Sequence, residues 1–511
     1  MTNQQIIMMI SMAIYLVGMI VLGVLFSGRN RSTSDFYLGG RKLGPLVTAM
    51  SAEASDMSSW LLMGLPGVAL IAGLPEASWT AIGLGIGTYV NWLIVAKRIR
   101  HYSQNLDAVT IPDFFSRRYH DKKHVLSLVS ALVIIVFFVP YVASGFNACG
   151  TLFSSLFGID YFTAMLVSAL VILAYTALGG FLAASTSDFI QSIVMTVALV
   201  VVVGFGVSSA GGWSKVAENA KSMPGFLDLF KGYDASTGSA ASYTPLMVIS
   251  TMAWGLGYFG MPHILLRFMA INDAKKLRLS RRVATVWVFI AMGVAILIGV
   301  VGNAMMKNGA VETLNSDNAQ RIIIKIAELL GSKGVILALI AGVILSGILA
   351  ATMSTADSQL LAAASSVTQD LLHDTFKINI SDKTAMIIAR VAVLIIGAVA
   401  IFFARKEGSV FTIVSFAWAG FGAAFGPTML LALFWKKSTR QGAVCGMLAG
   451  GIMIFVWKYL VRPLGGVLDI YELLPAFLVG LIVNIIVSLL TQKASAEDLK
   501  VMEKEFNEAV R

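Results

Sequence analysis

The sequence predicts an all-α polytopic membrane protein with about thirteen transmembrane helices, and two observations support this prediction. Composition is the first: 57% of the 511 residues are hydrophobic and only 13% are charged, and the mean hydropathy is +0.81. Soluble domains carry about 25% charged residues, so this composition excludes an ordinary water-exposed surface. The second observation is that apolar stretches of about 20 residues recur along the chain, the length that crosses a hydrocarbon layer of roughly 30 Å.

The apolar stretches give the predicted spans in chain order. They start near residues 5, 45, 77, 125, 160, 186, 244, 283, 334, 384, 409, 439 and 470. The first has neither a charged leader nor a clear small-residue cleavage site, so we interpret it as a retained helix rather than a signal peptide. We expect no soluble domain in the connection 213–243 or in the tail 493–511, which disfavours a receptor with its own signalling domain.

Basic residues predict the orientation of these spans. Lys and Arg cluster in the loops after the first, third, seventh and eleventh spans, which share one side of the membrane. The clusters are Arg29, Arg31, Arg41 and Lys42; Lys97, Arg98, Arg100, Arg117, Arg118, Lys122 and Lys123; Arg267, Lys275, Lys276, Arg278, Arg281 and Arg282; and Lys436, Lys437 and Arg440. Because basic loops mark the cytoplasmic side, we expect a cell-membrane protein with its N-terminus outside and its C-terminus in the cytoplasm. Topology then explains the net charge of +10, and we expect no nucleic-acid partner.

A polar stretch interrupts the second predicted span. The run from Ala54 to Trp60 carries the carboxylate of Asp56 and three serine hydroxyls inside an apolar segment. An ionisable group inside a bilayer costs about 3 kcal/mol or more, so it is found where it faces a cavity, a partner or an ion. Gly64 and Pro66 follow and favour a helix break, which frees backbone groups. The alternative is a buried aspartate satisfied by neighbouring helices.

The seventh predicted span is interrupted too. Residues 252–262 contain three glycines, Pro262 and the polar-tipped aromatic residues Trp254 and Tyr258. Broken spans at corresponding positions of two halves indicate a midplane binding site in secondary transporters. Five spans separate the two breaks, so the second copy would run in the opposite direction, as an inverted repeat requires. The alternative is packing of glycines between helices, as Gly83 and Gly87 suggest elsewhere.

Hydroxyl groups cluster in a third stretch, from Ala350 to Gln359, near the inner end of the ninth predicted span. Sodium is a hard cation that prefers several oxygen ligands, which backbone carbonyls of a broken helix and neighbouring hydroxyls supply. Ser354 and Thr355 fit this role. Hydrogen bonds from each hydroxyl to its own helix are the alternative.

Signatures of catalysis and of metal binding are missing from the sequence. It contains no P-loop, no GxSxG in a strand–turn–helix context and no HExxH, so we expect no enzymatic activity and an ion gradient as the energy source. Cys149 and Cys445 lie in apolar spans, where we interpret them as packing residues rather than as a disulfide or metal ligands.

Several sequence blocks in order resemble the sodium/solute symporter family, and most closely its members that carry proline. The blocks are Leu38–Gly44, Ala54–Ser58, Tyr175–Gly180 with Asp188 and Gln191, Trp254–Phe268 and Met353–Thr355. The resemblance covers nearly the whole chain and implies a LeuT-type core of two inverted five-span repeats. It predicts a peripheral first helix and inside loop at 1–44, repeats at 45–212 and 244–435 joined by the outside loop 213–243, peripheral spans at 436–492 and a cytoplasmic tail at 493–511.

The resemblance also implies the residues of the site. Sodium would bind the carbonyl groups of Ala54, Met57 and Ala351 and the hydroxyl groups of Ser354 and Thr355. Asp56 would support the ion electrostatically, and Asp188 would lie on its route to the cytoplasm; a helix N-terminal aspartate is the alternative for Asp188. The solute would contact Ser59, Trp60, Tyr141, Trp254, Tyr258 and Pro262.

The expected function is sodium-coupled uptake of L-proline, or of a similar small zwitterion, by alternating access across the plasma membrane. Sodium would be the co-transported ion, the lipid bilayer the surroundings, and no obligatory protein partner is evident. Two residues depart from the proline-carrier pattern: Glu53, where a small residue is familiar, and Ser59, where glycine is expected. The alternatives are a carrier of another amino acid, pantothenate or a sugar, and a passive sodium channel or solute sensor.

Overall fold

The computed structural model describes residues 1–27, 33–378, 381–492 and 496–510. Its first half is helical and comprises α1 (Asn3–Ser27), α2 (Thr33–Leu38), α3 (Pro45–Asp56), α4 (Leu65–Ala72), α5 (Leu74–Val90), α6 (Ala96–Asn105), α7 (Ile111–Arg118), α8 (Val125–Phe157), α9 (Tyr161–Ser209) and α10 (Trp213–Ser222). A 3-10 turn follows α2, and π-helical turns precede α4 and join α5 to α6; these are Gly39–Arg41, Trp60–Gly64 and Asn91–Val95.

The second half begins with a β-hairpin and continues with ten further helices. These are β1 (Lys231–Asp234), β2 (Ser239–Ser242), α11 (Pro245–Met252), α12 (Pro262–Ala270), α13 (Leu277–Lys307), α14 (Ile322–Gly331), α15 (Val335–Ser365), α16 (Asp382–Ala404), α17 (Val410–Phe434), α18 (Arg440–Val456), α19 (Leu473–Thr491) and α20 (Ala496–Val510). Short 3-10 or π turns link several of them, namely Ala253–Phe259, Ala274–Lys276, Ala319–Arg321, Ser366–Thr375, Trp457–Val461, Arg462–Leu464 and Gly466–Leu468.

The number of spans differs from the prediction. Ten helices in the described part of the chain are long and apolar enough to cross a membrane, and eleven if the bent pair α3–α4 counts as one span. This confirms an all-α polytopic membrane protein but not the predicted thirteen spans. The counts differ at α9, one helix where two spans are predicted, and at Pro245–Phe259, an apolar helix that is too short to count as a span.

Helix α9 contains a sharp break. It runs for 49 residues, and Gly180 within it has φ 70° and ψ −178°, a conformation open to glycine alone. A straight helix of that length would measure about 74 Å, more than twice the hydrocarbon thickness. Gly180 therefore divides α9 into two arms, 161–179 and 181–209.

Both predicted helix breaks are confirmed. Helix α3 ends at Asp56, Met57 leaves the helical region at φ −75° and ψ 67°, and the chain turns by 60° before α4 continues. In the second break, α11 gives way to a 3-10 turn, and Pro262 starts α12 after an extended Met261. Proline suits that first helical position because it needs no hydrogen-bond donor there.

Glycines also pack tightly at the second break, so the alternative interpretation of that stretch describes a real contact. A Cβ atom on Gly83 would lie 2.4 Å from the Met252 carbonyl oxygen, and one on Gly87 would lie 2.4 Å from that of Gly255. Helix α5 therefore presses its glycine face directly against the broken segment. Glycine packing and helix interruption occur together here rather than excluding each other.

The bundle has two faces, which we name by the chain ends. Gln5 near the start of α1 donates a hydrogen bond to the Leu156 carbonyl at the end of α8, which defines the N-terminal face. Helix α20 lies at the opposite end of α8, where His120 contacts Glu505 at 3.0 Å, which defines the C-terminal face.

Basic loops meet at the C-terminal face. Arg440 pairs with Asp121 there at 3.4 Å. The Arg41 guanidinium donates hydrogen bonds to the carbonyls of Ala108 at 2.7 Å and Met269 at 2.8 Å. The loops after the first, third, seventh and eleventh predicted spans therefore share a face, as the sequence predicts. Arg29 and Arg31 of the first cluster lie outside the described residues.

The connection 213–243, predicted as an outside loop without a soluble domain, contains short elements of secondary structure. It holds α10 and an antiparallel hairpin in which Lys231 pairs with Ser242 and Asp234 with Ser239. Trp79 of α5 donates a hydrogen bond to the Leu229 carbonyl at 2.8 Å. The connection is thus anchored on the N-terminal face.

Candidate functional site

The break after α3 lies against the middle of α15. The Ser354 hydroxyl donates a hydrogen bond to the Ala54 carbonyl at 2.7 Å and lies 3.2 Å from the Ala351 carbonyl oxygen. All three residues are fully buried. The stretch predicted near a helix end lies instead inside a continuous helix, since α15 and its π-helical extension run from Val335 to Thr375. Neutral oxygens from both halves of the chain therefore meet at one point.

Two further predicted residues border this point. Thr355 follows Ser354 in α15, and its hydroxyl is buried without a hydrogen-bond partner among the described residues. Met57 is the first residue past the end of α3, and its backbone N–H donates to the Glu53 carbonyl at 2.7 Å. Since Met57 leaves the helical conformation, its carbonyl is released from the helical pattern.

Asp56 is the centre of a second set of contacts. The Tyr258 hydroxyl donates to its Oδ2 at 2.5 Å. The Trp60 indole and the Tyr141 hydroxyl donate to its backbone carbonyl at 3.1 and 3.4 Å. Its Oδ1 is buried without a partner among the described residues. No Lys, Arg or His lies within ion-pair distance of Asp56 in that part of the chain, so its charge is left to be balanced from elsewhere.

Aromatic rings extend from Asp56 toward the N-terminal face. The ring of Trp254 lies 6.0 Å from that of Trp60, 5.2 Å from Phe411 and 5.2 Å from Tyr471. The Trp418 indole donates to the Trp254 carbonyl at 2.7 Å. Three of these residues, Phe411, Trp418 and Tyr471, were not predicted from the sequence.

Ser59 and Pro262 are the remaining residues that were predicted to contact the solute. Ser59 is fully buried between Asp56 and Trp60 in the chain, and its hydroxyl has no partner among the described residues. Pro262 is buried at the start of α12, just beyond the helix break that follows Tyr258. The structure thus brings Trp60, Tyr141 and Tyr258 into direct contact with Asp56, whereas Ser59 and Pro262 adjoin these residues only through the chain.

Asp188 belongs to a separate cluster. It lies within α9, two turns after Gly180, so it is not at a helix N-terminus. Its Oδ2 accepts a hydrogen bond from Ser51 at 2.6 Å and pairs with the Arg267 guanidinium at 3.2 Å. The Asp188 and Arg267 side chains are 0% and 1% exposed.

Arg267 corrects one interpretation of the sequence. We assigned it to a basic loop, but it lies within α12 and is fully buried. Its guanidinium also donates to the Ser358 hydroxyl at 2.5 Å and lies 4.9 Å from the ring centroid of Phe181. Segments from four parts of the chain, α3, α9, α12 and α15, therefore close together around one arginine.

Glu53 lies one turn before Asp56 on α3, which runs through both residues as the sequence allows. It is 1% exposed. The Trp92 indole donates to its Oε1 at 2.9 Å, and its Oε2 has no partner among the described residues. The π-helical turn Asn91–Val95 positions Trp92 for this contact.

A polar cavity of about 760 Å³ opens from the N-terminal face down to the aromatic rings. Trp254, Phe411 and Tyr471 line its floor, and Glu76, Lys458, Arg462 and Asp469 line its walls. The other side of Asp56 is blocked by the buried cluster around Arg267. Of the predicted site residues, Trp254 lines this cavity, whereas Asp56, Trp60, Tyr141 and Tyr258 are buried beneath it.

Comparison with known proteins decides the family. The model of the sodium:solute symporter family matches residues 36–450. The chain belongs to this family. It is 42% identical to the sodium/proline symporter of Haemophilus influenzae, with 97% of each chain covered. It is 41% identical to the sodium/proline symporter of Escherichia coli, covering 98% of this chain and 96% of that one.

A further relative and two solved structures extend the comparison. The chain is 40% identical to the osmoregulated proline transporter OpuE of Bacillus subtilis, covering 97% of this chain and 98% of that one. An outward-open structure of a Na⁺-coupled sialic acid symporter matches with a TM-score of 0.77 at 18% identity, over 95% of this chain and 98% of that one. A nucleobase-cation-symport-1 family transporter matches with a TM-score of 0.54 at 13% identity, over 94% and 99%. The two structures confirm a fold of the LeuT type.

Proposed function

We propose that the protein is a sodium-coupled symporter that takes up L-proline by alternating access. One observation supports this most strongly: two broken helices meet at Asp56, beside neutral oxygens on one side and aromatic rings on the other. Broken helices of this kind bind ions and substrates in secondary transporters. The relatives named as sodium/proline symporters, at about 40% identity over nearly the full length, agree in substrate and ion.

The proposed sodium site consists of the carbonyl oxygens of Ala54, Met57 and Ala351 with the hydroxyl oxygens of Ser354 and Thr355. Its support is the 2.7 Å contact between Ser354 and Ala54 and the unpartnered Thr355 hydroxyl. A hydroxyl group rotates at little cost, so Ser354 can turn its oxygen toward an arriving cation. Uncharged oxygens suit sodium, a hard cation.

Asp56 would stabilise the bound sodium through its charge. The carboxylate is fully buried, and its hydrogen-bond donors, Tyr258 among them, are neutral. An uncompensated negative charge at bilayer depth is costly, so a cation at the neighbouring site relieves that cost.

The proposed solute pocket lies between Trp60, Tyr141, Trp254 and Tyr258, with Ser59 and Pro262 at its ends. A cyclic amino acid presents an apolar ring that packs against aromatic faces. Its carboxylate is favoured at the N-terminus of a half-helix, and Pro262 starts α12 at this place. Both features match a small zwitterion.

Asp188 would act later in the cycle, on the route by which sodium leaves at the C-terminal face. That route is closed here by the Asp188–Arg267 pair, which must open before ion or solute can pass. We assign the C-terminal face to the cytoplasm, because its loops carry the basic clusters, and the inverted repeats to residues 45–212 and 244–435. The relatives named as symporters favour coupled transport over a passive sodium channel.

Uptake of labelled proline into proteoliposomes tests the proposal. We expect accumulation with an inward sodium gradient and none with an equal gradient of potassium. Unlabelled amino acids, pantothenate and sugars, added as competitors, distinguish a proline carrier from a carrier of another solute. Absence of gradient-driven uptake by folded protein would contradict proline symport.

A further inference from the structure

The connection between α18 and α19 reaches into the cavity above the aromatic rings. This connection was predicted to be peripheral. Tyr471 at its end is 8% exposed, and its ring stacks on Trp254 at a centroid distance of 5.2 Å and an interplanar angle of 23°. The proposed solute pocket is therefore bordered by a residue from outside both proposed repeats.

Two hydrogen bonds fix the position of Tyr471. Its backbone N–H donates to the Ser250 hydroxyl of α11 at 2.7 Å, and its own hydroxyl donates to the Ser415 carbonyl of α17 at 2.7 Å. These two helices flank Trp254. The ring is thus held at its backbone end and at its tip, which leaves it little freedom to move aside for a larger ligand.

Ion pairs hold the rest of the connection. Glu472 is fully buried, and it pairs with Arg462 at 3.1 Å and Lys458 at 3.5 Å. Arg462 also contacts Asp469 at 2.9 Å. Such partners stabilise a buried carboxylate, and removing either cation would leave the charge of Glu472 less well paired. The connection is therefore built to keep Tyr471 in place.

We propose that Tyr471 is the outer wall of the solute pocket and limits the size of the ring that the carrier accepts. This inference rests on the proposed function. The stacked ring covers Trp254 on the cavity side, so a bound ring larger than that of proline meets Tyr471. Because the Tyr471 ring cannot move aside without breaking a hydrogen bond, it discriminates between solutes by the size of their ring.

The test compares competition by two compounds in proteoliposomes: unlabelled proline and its homologue with a six-membered ring. In the unmodified protein we expect the homologue to inhibit about tenfold more weakly than proline, the discrimination of one methylene group. The measured quantity is the ratio of the inhibitory concentration of the homologue to that of proline. Tyr471→Ala should reduce this ratio to near one. Tyr471→Phe keeps the stacked ring but loses the hydrogen bond to the Ser415 carbonyl, so its ratio should lie between those of the unmodified protein and Tyr471→Ala.

Tyr459→Ala is the matched control. Tyr459 lies in the same connection but is 60% exposed on the bundle surface. The ratio measured for Tyr459→Ala should therefore equal that of the unmodified protein. If Tyr471→Ala does not fold, Tyr471→Leu replaces it, since leucine fills part of the space without a flat ring. An unchanged ratio in folded Tyr471→Ala or Tyr471→Leu would overturn the inference. Absence of sodium-driven proline uptake by the unmodified protein would instead overturn the proposed function.

Discussion

Two buried carboxylates, Asp56 and Asp188, differ in how their charge is balanced. Asp188 pairs with Arg267, and its Oδ2 also accepts from Ser51. Asp56 receives hydrogen bonds from neutral groups only and has no cationic partner among the described residues. The first charge is satisfied by the protein itself. The second has no counter-charge among the described residues, and we propose that a bound sodium ion supplies it.

The largest expected effect comes from removing the arginine. Arg267→Met leaves a buried carboxylate unpaired, which costs about 3–5 kcal/mol of stability. Thermal unfolding in detergent should show a markedly lower Tm. Arg321→Met is the matched control, because Arg321 pairs with Glu407 at 2.7 Å while both side chains remain about a third exposed, where a pair contributes about 0–1 kcal/mol. An equal decrease of Tm in the two variants would contradict the structural role of Arg267.

The next effect concerns Asp56. Asp56→Asn keeps the shape of the side chain but removes its charge, and we expect the sodium concentration for half-maximal proline uptake to rise by about 10–100-fold, the change for an interaction of about 1.5–3 kcal/mol. Tm should change little. Glu53→Gln, one turn earlier on the same helix, provides the control. If Glu53→Gln raised the half-maximal sodium concentration more than Asp56→Asn does, the ion-supporting role would belong to Glu53 rather than to Asp56.

A smaller effect is expected at Thr355. Thr355→Val keeps the volume and removes one proposed oxygen ligand, so sodium should bind about tenfold more weakly, as for a contribution of about 1.4 kcal/mol. Ser346→Ala is the control, since Ser346 lies in the same helix and donates to the Gly342 carbonyl of its own backbone at 2.9 Å. Similar sodium affinities in the two variants would exclude Thr355 as a ligand.

Local patterns predicted much of the fold. Glycine and proline cannot continue a regular helix without a cost, so both breaks were visible from residues close in sequence. The segregation of basic residues likewise indicated which loops share a face. The number of spans was less predictable, because α9 bends at Gly180 within one apolar run and the segment from Pro245 is broken into short pieces.

Long-range contacts explain what the sequence did not reveal. Arg267 is followed closely by loop lysines and arginines, so its place in a buried ion pair depends on Asp188, far away in the chain. Phe411, Trp418 and Tyr471 are aromatic residues in apolar or loop segments, where nothing local distinguishes a pocket wall from ordinary packing. Their contacts with Trp254 arise only when the helices assemble.

We propose that sodium bound at the broken helices prepares the pocket for proline. Equilibrium binding tests it most directly: the Kd of proline is measured over a series of sodium concentrations, and the Kd of sodium over a series of proline concentrations. Linkage requires the same factor in both directions, and we expect an increase in affinity of at least about fivefold. Equal proline affinity with and without sodium would contradict the account.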